Sequence, residues 1–294
     1  MAALGRNVEF IEGSSGARVT FHGVRGSTPC HGDDIRRYGG NTSCVSVDLP
    51  GQDPILFDLG TGLRYFGTSQ PQDGSFRGHC LLTHLHWDHT QGLPFFTPML
   101  RPGAELDVYA PAQDDGRSVQ TVFETTIRPP LFPIGIDQFP GTFRFHDLGD
   151  NDFNLGDVRV TSRIVPHVGP TLGYRLEWNG ISIAYLSDHQ QPYDGSFAAS
   201  KGALELADGV DLLIHDSQYT QDEFAMKFNW GHCTVEYAVW FAHEAGAKTL
   251  ALFHHDPTRT DDAVDELARC AQTAGGLIGT NVICAREGLT VELG

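Results

Sequence analysis

The chain has 294 residues, with 37 acidic against 20 basic side chains and a formal charge of −17. Such a field repels nucleic acid and anionic lipid at long range, so a phosphate-bearing ligand would need a strongly positive local site. Hydrophobic residues at 40 % and charged residues at 19 % are ordinary for a globular protein, and the length suffices for a core without disulfides.

The first ten residues, MAALGRNVEF, lack a basic stretch followed by an apolar core, so no secretion signal is expected. No apolar run approaches the roughly 18–20 residues that span a membrane. The cysteines at 30, 44, 80, 233, 270 and 284 form no CxxC pair, and reduced thiols in a cytoplasmic protein are expected. Asn41-Thr-Ser then matches a glycosylation sequon by chance.

Along the chain, strand-like runs rich in Val, Ile, Leu and Tyr and bounded by Gly, Pro, Asn or Asp fall at 18–23, 44–49, 54–60, 78–84, 105–110, 158–165, 171–178, 181–188, 210–217 and 248–255. The early ones follow each other closely, which suggests hairpins and an antiparallel or mixed sheet. Residues 127–141, IRPPLFPIGIDQFPG, hold four prolines and cannot be regular structure. They suit a lid or cleft wall, or a loop packed on the core or on a partner subunit. Helical spacing of Val235, Ala238, Val239 and Ala242 predicts a helix over 234–245, ended by Gly246. A second is predicted over 261–273, with Asp261 and Asp262 at its positive N-terminal end. No linker divides the chain, so one α/β domain over residues 1–294 is expected.

LLTHLHWDHTQG, residues 81–92, carries the chemistry. His84 and His86 share a face of an extended chain and can chelate one ion. A helical turn after them would swing Asp88 and His89 towards a second ion. Imidazole with carboxylate suits zinc and other first-row divalent ions.

This motif resembles that of the metallo-β-lactamase superfamily, and segments from about residue 20 to about residue 265 resemble it too. The resemblance implies a four-layer αβ/βα sandwich, two mixed sheets flanked by helices. RIVPHVGPTLGYRL would supply His167, IAYLSDHQ a bridging Asp188, and LALFHH the last histidine. The first ion would take His84, His86 and His167; the second would take Asp88, His89 and His254. His254 is chosen because it directly follows the apolar strand, and alternation then turns His255 away, towards the 256–262 turn or the cleft rim.

NWGHCTVEYAVWFAHEAGAKTLALFHH and DLLIHDSQY resemble segments of the tRNase Z and cyclic-phosphate phosphodiesterase branch. They imply His232 as proton donor, oriented by Asp216. Asp216 stands where that branch has Glu, and Cys233 where it has Ser. GVRGSTPCHGDDIRRYGGNTSCVSVD resembles the family's N-terminal region, where Gly39 and Gly40 would let a ligand approach and Asn41 to Ser43 could donate hydrogen bonds. Arg25 and Arg37 are either solvated or phosphate contacts. Asp58, in FDLGTGLR, would support the ligands without coordinating. His22, His31, His79, His146, His189 and His243 are read as surface or supporting residues, and His215 as facing away from Asp216.

The expected function is a dinuclear metal-dependent phosphodiesterase of a small substrate: a cyclic nucleotide, cyclic phosphate or short oligonucleotide. Catalysis would run through a hydroxide bridging two divalent ions, zinc by default with manganese or iron as alternatives. Asp88, Asp188 and the hydroxide reduce the ions' charge to about +1, still a local attraction for a phosphodiester. The alternatives are a tRNA 3′-processing endonuclease and a thioester, lactone or lactam hydrolase. Residues 189–210 are too short and too poor in basic residues for a tRNA-gripping arm, and the second class would not need the Asp216/His232 pair. A metal-binding sensor without catalysis is a third class. No membrane association and no stable nucleic-acid partner are expected, and a homodimer is open.

Overall fold

The computed structural model describes residues 16–294. The elements follow in the order β1 (Ala17–Gly23), β2 (Cys44–Asp48), β3 (Ile55–Phe57), α1 (Leu63–Ser69), β4 (Arg77–Leu81), α2 (Trp87–Thr90), β5 (Glu105–Pro111), α3 (Val119–Thr126) and β6 (Thr142–Leu148). The second half holds β7 (Asn151–Leu155), β8 (Val158–Ile164), β9 (Leu172–Trp178), β10 (Ile181–Leu186), α4 (Lys201–Ala207), β11 (Leu212–Asp216) and α5 (Gln221–Lys227). α6 (Val235–Glu244), β12 (Thr249–Phe253), α7 (Asp261–Ile278), β13 (Asn281–Cys284) and β14 (Thr290–Leu293) complete it.

The strands form two seven-stranded sheets, ordered β14-β1-β2-β3-β4-β5-β6 and β13-β12-β11-β10-β9-β8-β7. Both are mixed. In the first, β1 to β3 pair antiparallel and β3 to β6 parallel. In the second, β10 to β13 pair parallel and β7 to β10 antiparallel. This is the αβ/βα sandwich that the resemblance implied. Parallel neighbours need crossovers, and the helices serving them cover the outer faces.

The sequence explains the layering. β1 alternates buried and half-buried residues, as a strand with one face on a core must. β11, Leu-Leu-Ile-His-Asp, is buried throughout, as a central parallel strand with both faces covered must be. Between the sheets, Phe57 lies flat on Tyr185 with ring centroids 4.5 Å apart, next to Tyr174 and Phe253. Leu206, Val239, Phe241 and Leu250 belong to the outer core of the second sheet.

The helix starts follow capping chemistry: Thr234 accepts from the Tyr237 N–H, and Thr260 from the Ala263 N–H. α7 runs five residues past the predicted end, through Gly275 and Gly276, to the left-handed Gly279. A Cβ on Gly275 would meet the side chain of Val282 at 2.5 Å, so the glycine permits the helix to press on β13. The strands β6, β7, β13 and β14 were not predicted; β13 and β14 have four residues each, too few for a periodic signal. The 127–141 segment is irregular apart from a short turn at 136–138, and Ile127, Ile136 and Phe139 are buried in the first sheet's outer core. It packs on the core, although Leu131 is left exposed.

Among the described residues, the Phe57–Tyr185 stack is the closest aromatic contact between the sheets. Phe57→Ala should lower the unfolding free energy by about 3–5 kcal/mol, read from urea unfolding of the metal-loaded protein. A cost near zero would mean that the sheets do not depend on it.

Candidate metal centre

Five strand ends converge on one site. β4 runs into His84 and His86, and α2 then carries Asp88 and His89 on its single turn. His167 follows β8, Asp188 follows β10, Asp216 is the last residue of β11, and His254 directly follows β12. Chain reversal at these ends leaves the side chains facing one another.

The ligand atoms of His84, His86 and His167 all lie within 4.8 Å of one another, as do those of Asp88, His89 and His254. Asp188 belongs to two further groups of this kind, one with His84 and His89 and one with His232 and His254. Four imidazoles are turned by partners on their Nδ1 atoms. Thr83 Oγ1 lies 3.1 Å from His84 Nδ1, and Asp58 Oδ2 accepts from His89 Nδ1 at 2.7 Å. The Gly231 carbonyl accepts from His167 Nδ1 at 2.7 Å, and Gln218 Oε1 from His254 Nδ1 at 2.8 Å. Each Nδ1–H that is engaged leaves its Nε2 lone pair for the cluster. His86 presents Nδ1 instead, 2.8 Å from His84 Nε2. Asp88 Oδ2 also accepts the Ser27 N–H at 2.6 Å.

Two glycines allow this closeness. A Cβ on Gly231 would meet the His167 ring at 2.3 Å, and its φ of +99° disfavours any other residue. A Cβ on Gly26 would meet the His254 ring at 2.4 Å.

The electrostatics ask for a cation. Burial keeps His84 and His86 below the ordinary histidine pKa and lowers His167 to about 4, so these rings are neutral, as metal ligands must be. At His89 and His254 burial is outweighed by the carboxylates around them, Asp88 and Asp188 foremost, which raise both. At Asp88 and Asp188 burial is likewise outweighed, by the imidazoles, and both stay ionised. His89 Nε2 and Asp188 Oδ1 lie 3.2 Å apart, both buried and both without a hydrogen bond. Buried polar atoms at such range are normally paired, and a metal ion would satisfy both. The donor set, imidazole and carboxylate, fits a first-row divalent ion.

Beside this cluster His232 Nδ1 donates to Asp216 Oδ2 at 2.8 Å and lies 3.7 Å from Asp188 Oδ2. His254 Nε2 is 3.3 Å from Asp88 Oδ2, whereas His255 Nε2 bonds the Ala285 carbonyl on the far side. A left-handed His254, at φ 59°, separates the two rings.

Other expectations require correction. Arg25 is fully buried: it donates to the carbonyls of Gly39, Asp256 and Arg259 and faces Asp261, so it touches neither solvent nor phosphate. Arg37 is exposed, in keeping with the solvated reading, and pairs with Asp262 and Asp265 of α7. Thr42 is buried against Thr61, and Asn41 is held by Glu287. What approaches Gly39 and Gly40 is Glu287 and the Cys30 carbonyl. His189 is fully buried, which selects the supporting reading over the surface one, with Nδ1 2.8 Å from His215 Nε2. Gln218 and Ser27 had no signal of their own, since their roles arise from contacts 36 and 61 residues away in sequence.

A family model described as the beta-lactamase superfamily domain matches residues 55–255. A ribonuclease Z of Synechococcus sp. (strain CC9311) is 27 % identical, over 94 % of this chain and 98 % of its own length. Two solved structures share the fold at 19 % identity. The metallo-beta-lactamase fold protein YhfI of Bacillus subtilis has a TM-score of 0.71 over 95 % of this chain and 99 % of its own. A diphosphatase of the PhnP family has 0.66 over 95 % and 97 %.

Replacing His254 should remove about half of the bound metal, and His255→Ala should retain it, as read by elemental analysis of the purified variants. Loss on His255→Ala with retention on His254→Ala would reverse the two roles.

Proposed function

We propose, from the premise that this chain belongs to the beta-lactamase superfamily, that it is a dinuclear metal-dependent phosphodiesterase acting on a small phosphodiester. The chain binds divalent metal and is a hydrolase. The finer reading assigns His84, His86 and His167 to one ion and Asp88, His89 and His254 to the other, with Asp188 between them. Zinc is the default ion, and manganese or iron the alternatives. When bound, such ions lower the pKa of a coordinated water towards ~7 and stabilise charge on a phosphoryl oxygen.

One observation carries the choice of reaction: the His232–Asp216 pair beside the cluster. An alkoxide is a poor leaving group from a phosphodiester, so an acid positioned to protonate it as the P–O bond breaks speeds that step. Asp216 holds the Nδ1–H of His232 and thereby aims the opposite nitrogen, Nε2, from which a proton passes to the leaving oxygen. Asp216 itself is fixed by the N–H of Gln218 at 2.9 Å, so the carboxylate cannot swing away. His232 is only slightly exposed, which shields this proton from bulk water. An acyl-transfer enzyme on the same ligands would not need the pair.

The match to a ribonuclease Z along nearly its full length supports a second reading, tRNA 3′ processing. The −17 charge and the weakly basic 189–210 segment favour the smaller substrate. A panel of cyclic AMP, cyclic GMP, bis(p-nitrophenyl) phosphate and precursor tRNA on metal-quantified protein separates the two. Small diesters should be cleaved; cleavage of tRNA alone would favour the second reading. His232→Ala should cut kcat on the preferred diester by about 10²–10⁴-fold with metal content near wild type. Loss of metal in that variant would make His232 a ligand instead.

Removing metal with a chelator should lower the melting temperature, and re-addition should restore it, because ligands that bind only the folded state stabilise it. Calorimetry of both forms checks this, and an unchanged melting temperature would remove metal from the account of the site.

A further inference from the structure

Gln218, just past β11, is buried, and each of its polar groups has a partner in a different part of the site. Its N–H donates to Asp216 Oδ1 at 2.9 Å, and its carbonyl accepts from Arg259 Nη1 at 2.7 Å. These two bonds fix the backbone and leave the side chain to face the cluster. The amide oxygen, which can only accept, lies 2.8 Å from His254 Nδ1. The amide nitrogen donates to Ser27 Oγ at 3.3 Å, and the N–H of the same serine donates to Asp88 Oδ2 at 2.6 Å.

The contact with the N-terminal strand end is close. A Cβ on Gly26 would fall 2.6 Å from Gln218 Oε1 and 2.4 Å from the His254 ring, so residues 26 and 27 press the amide against the imidazole. Ser27 is held at a left-handed φ of 62°, a conformation that a serine keeps only where its surroundings fix it. Gln218 and Asp88 are the two groups that fix it here.

The two candidate ion sites differ in their dependence on this residue. His84 and His167 take their partners from Thr83 and the Gly231 carbonyl, and His89 takes Asp58. His254 takes Gln218 directly, and Asp88 is reached through Ser27. We propose that the Gln218 amide is a positioning residue for the second ion alone: it holds the His254 ring and, through Ser27, the Asp88 carboxylate. The inference rests on the dinuclear reading. Glutamate can replace the amide, because a carboxylate oxygen accepts from Nδ1 as Asp58 does at His89, and the Ser27 hydroxyl can turn to donate. Methionine, of similar length, can do neither.

Zinc titrated into metal-free protein, followed by isothermal titration calorimetry, tests this. The wild type should take two equivalents. Gln218→Met should take one with wild-type affinity and the other about 10–100-fold more weakly, and Gln218→Glu should recover it. In a His254→Ala background Gln218→Met should change the remaining equivalent no further. Circular dichroism of the metal-free variants reports folding. If Gln218→Met is unfolded, Gln218→Asn takes its place with the same expected loss, since its amide is polar but one methylene too short for His254. Weakening of both equivalents or of neither, no recovery in Gln218→Glu, or a further change in the His254→Ala background would overturn the proposal. A single equivalent in the wild type rejects the dinuclear reading and the proposal with it. Two equivalents in the wild type, unaltered by Gln218→Met, reject the proposal alone.

Discussion

The buried carboxylate of Asp58 joins the two sheets and the site at one point. It sits just past β3, in the first sheet, at a left-handed φ of 60° that aspartate tolerates better than most residues. Oδ1 accepts both the backbone N–H and the hydroxyl of Thr83. Oδ2 accepts His89 Nδ1–H at 2.7 Å and the hydroxyl of Tyr185 at 2.8 Å. Tyr185 belongs to β10 of the second sheet, and its ring is the one stacked on Phe57. A single group therefore fixes the loop that carries His84, the orientation of His89, and the register of one sheet over the other. An unpaired charge at this depth would be expensive, so the carboxylate tolerates no loss of its donors.

The rest of the centre is built in the same way, by backbone and polar partners that choose which ring nitrogen faces inward. Gly231 turns His167, Gln218 turns His254, and Asp216 turns His232. Gln218 and Asp216 sit two residues apart at the end of β11, so one strand end orients both a ligand candidate and the proton-donor candidate.

The local part of this centre was legible in the sequence. His84, His86, Asp88 and His89 lie within six residues, and the step from extended chain to a helical turn places them by geometry alone. His167, Asp188 and His254 rested on the resemblance, because no spacing rule joins residues more than sixty positions apart. Arg25 was misread for a related reason. Neither a solvated nor a phosphate-contacting arginine is found, because the fold brings three carbonyls and Asp261 around it. His189 and His215 had no sequence signal, since their pairing depends on the parallel register of β10 against β11. The two adjacent histidines at 254 and 255 were separable in sequence by strand alternation, but what parts them is the positive φ of His254, just beyond the strand.

The distribution of basic side chains bears on what the site can bind. Arg25 is enclosed by carbonyls and Asp261, and Arg259 by Glu223 and the Gln218 carbonyl. Arg37 faces the acidic start of α7, and Lys227 is paired with Asp256. The cations of this rim are thus committed to internal carboxylates, in a chain whose net field repels anions. A long polyanion would meet that field along its whole length. A single phosphodiester meets it at one place, where bound divalent ions reverse the sign over a few ångströms. The remainder of such a substrate would have to be recognised by neutral contacts.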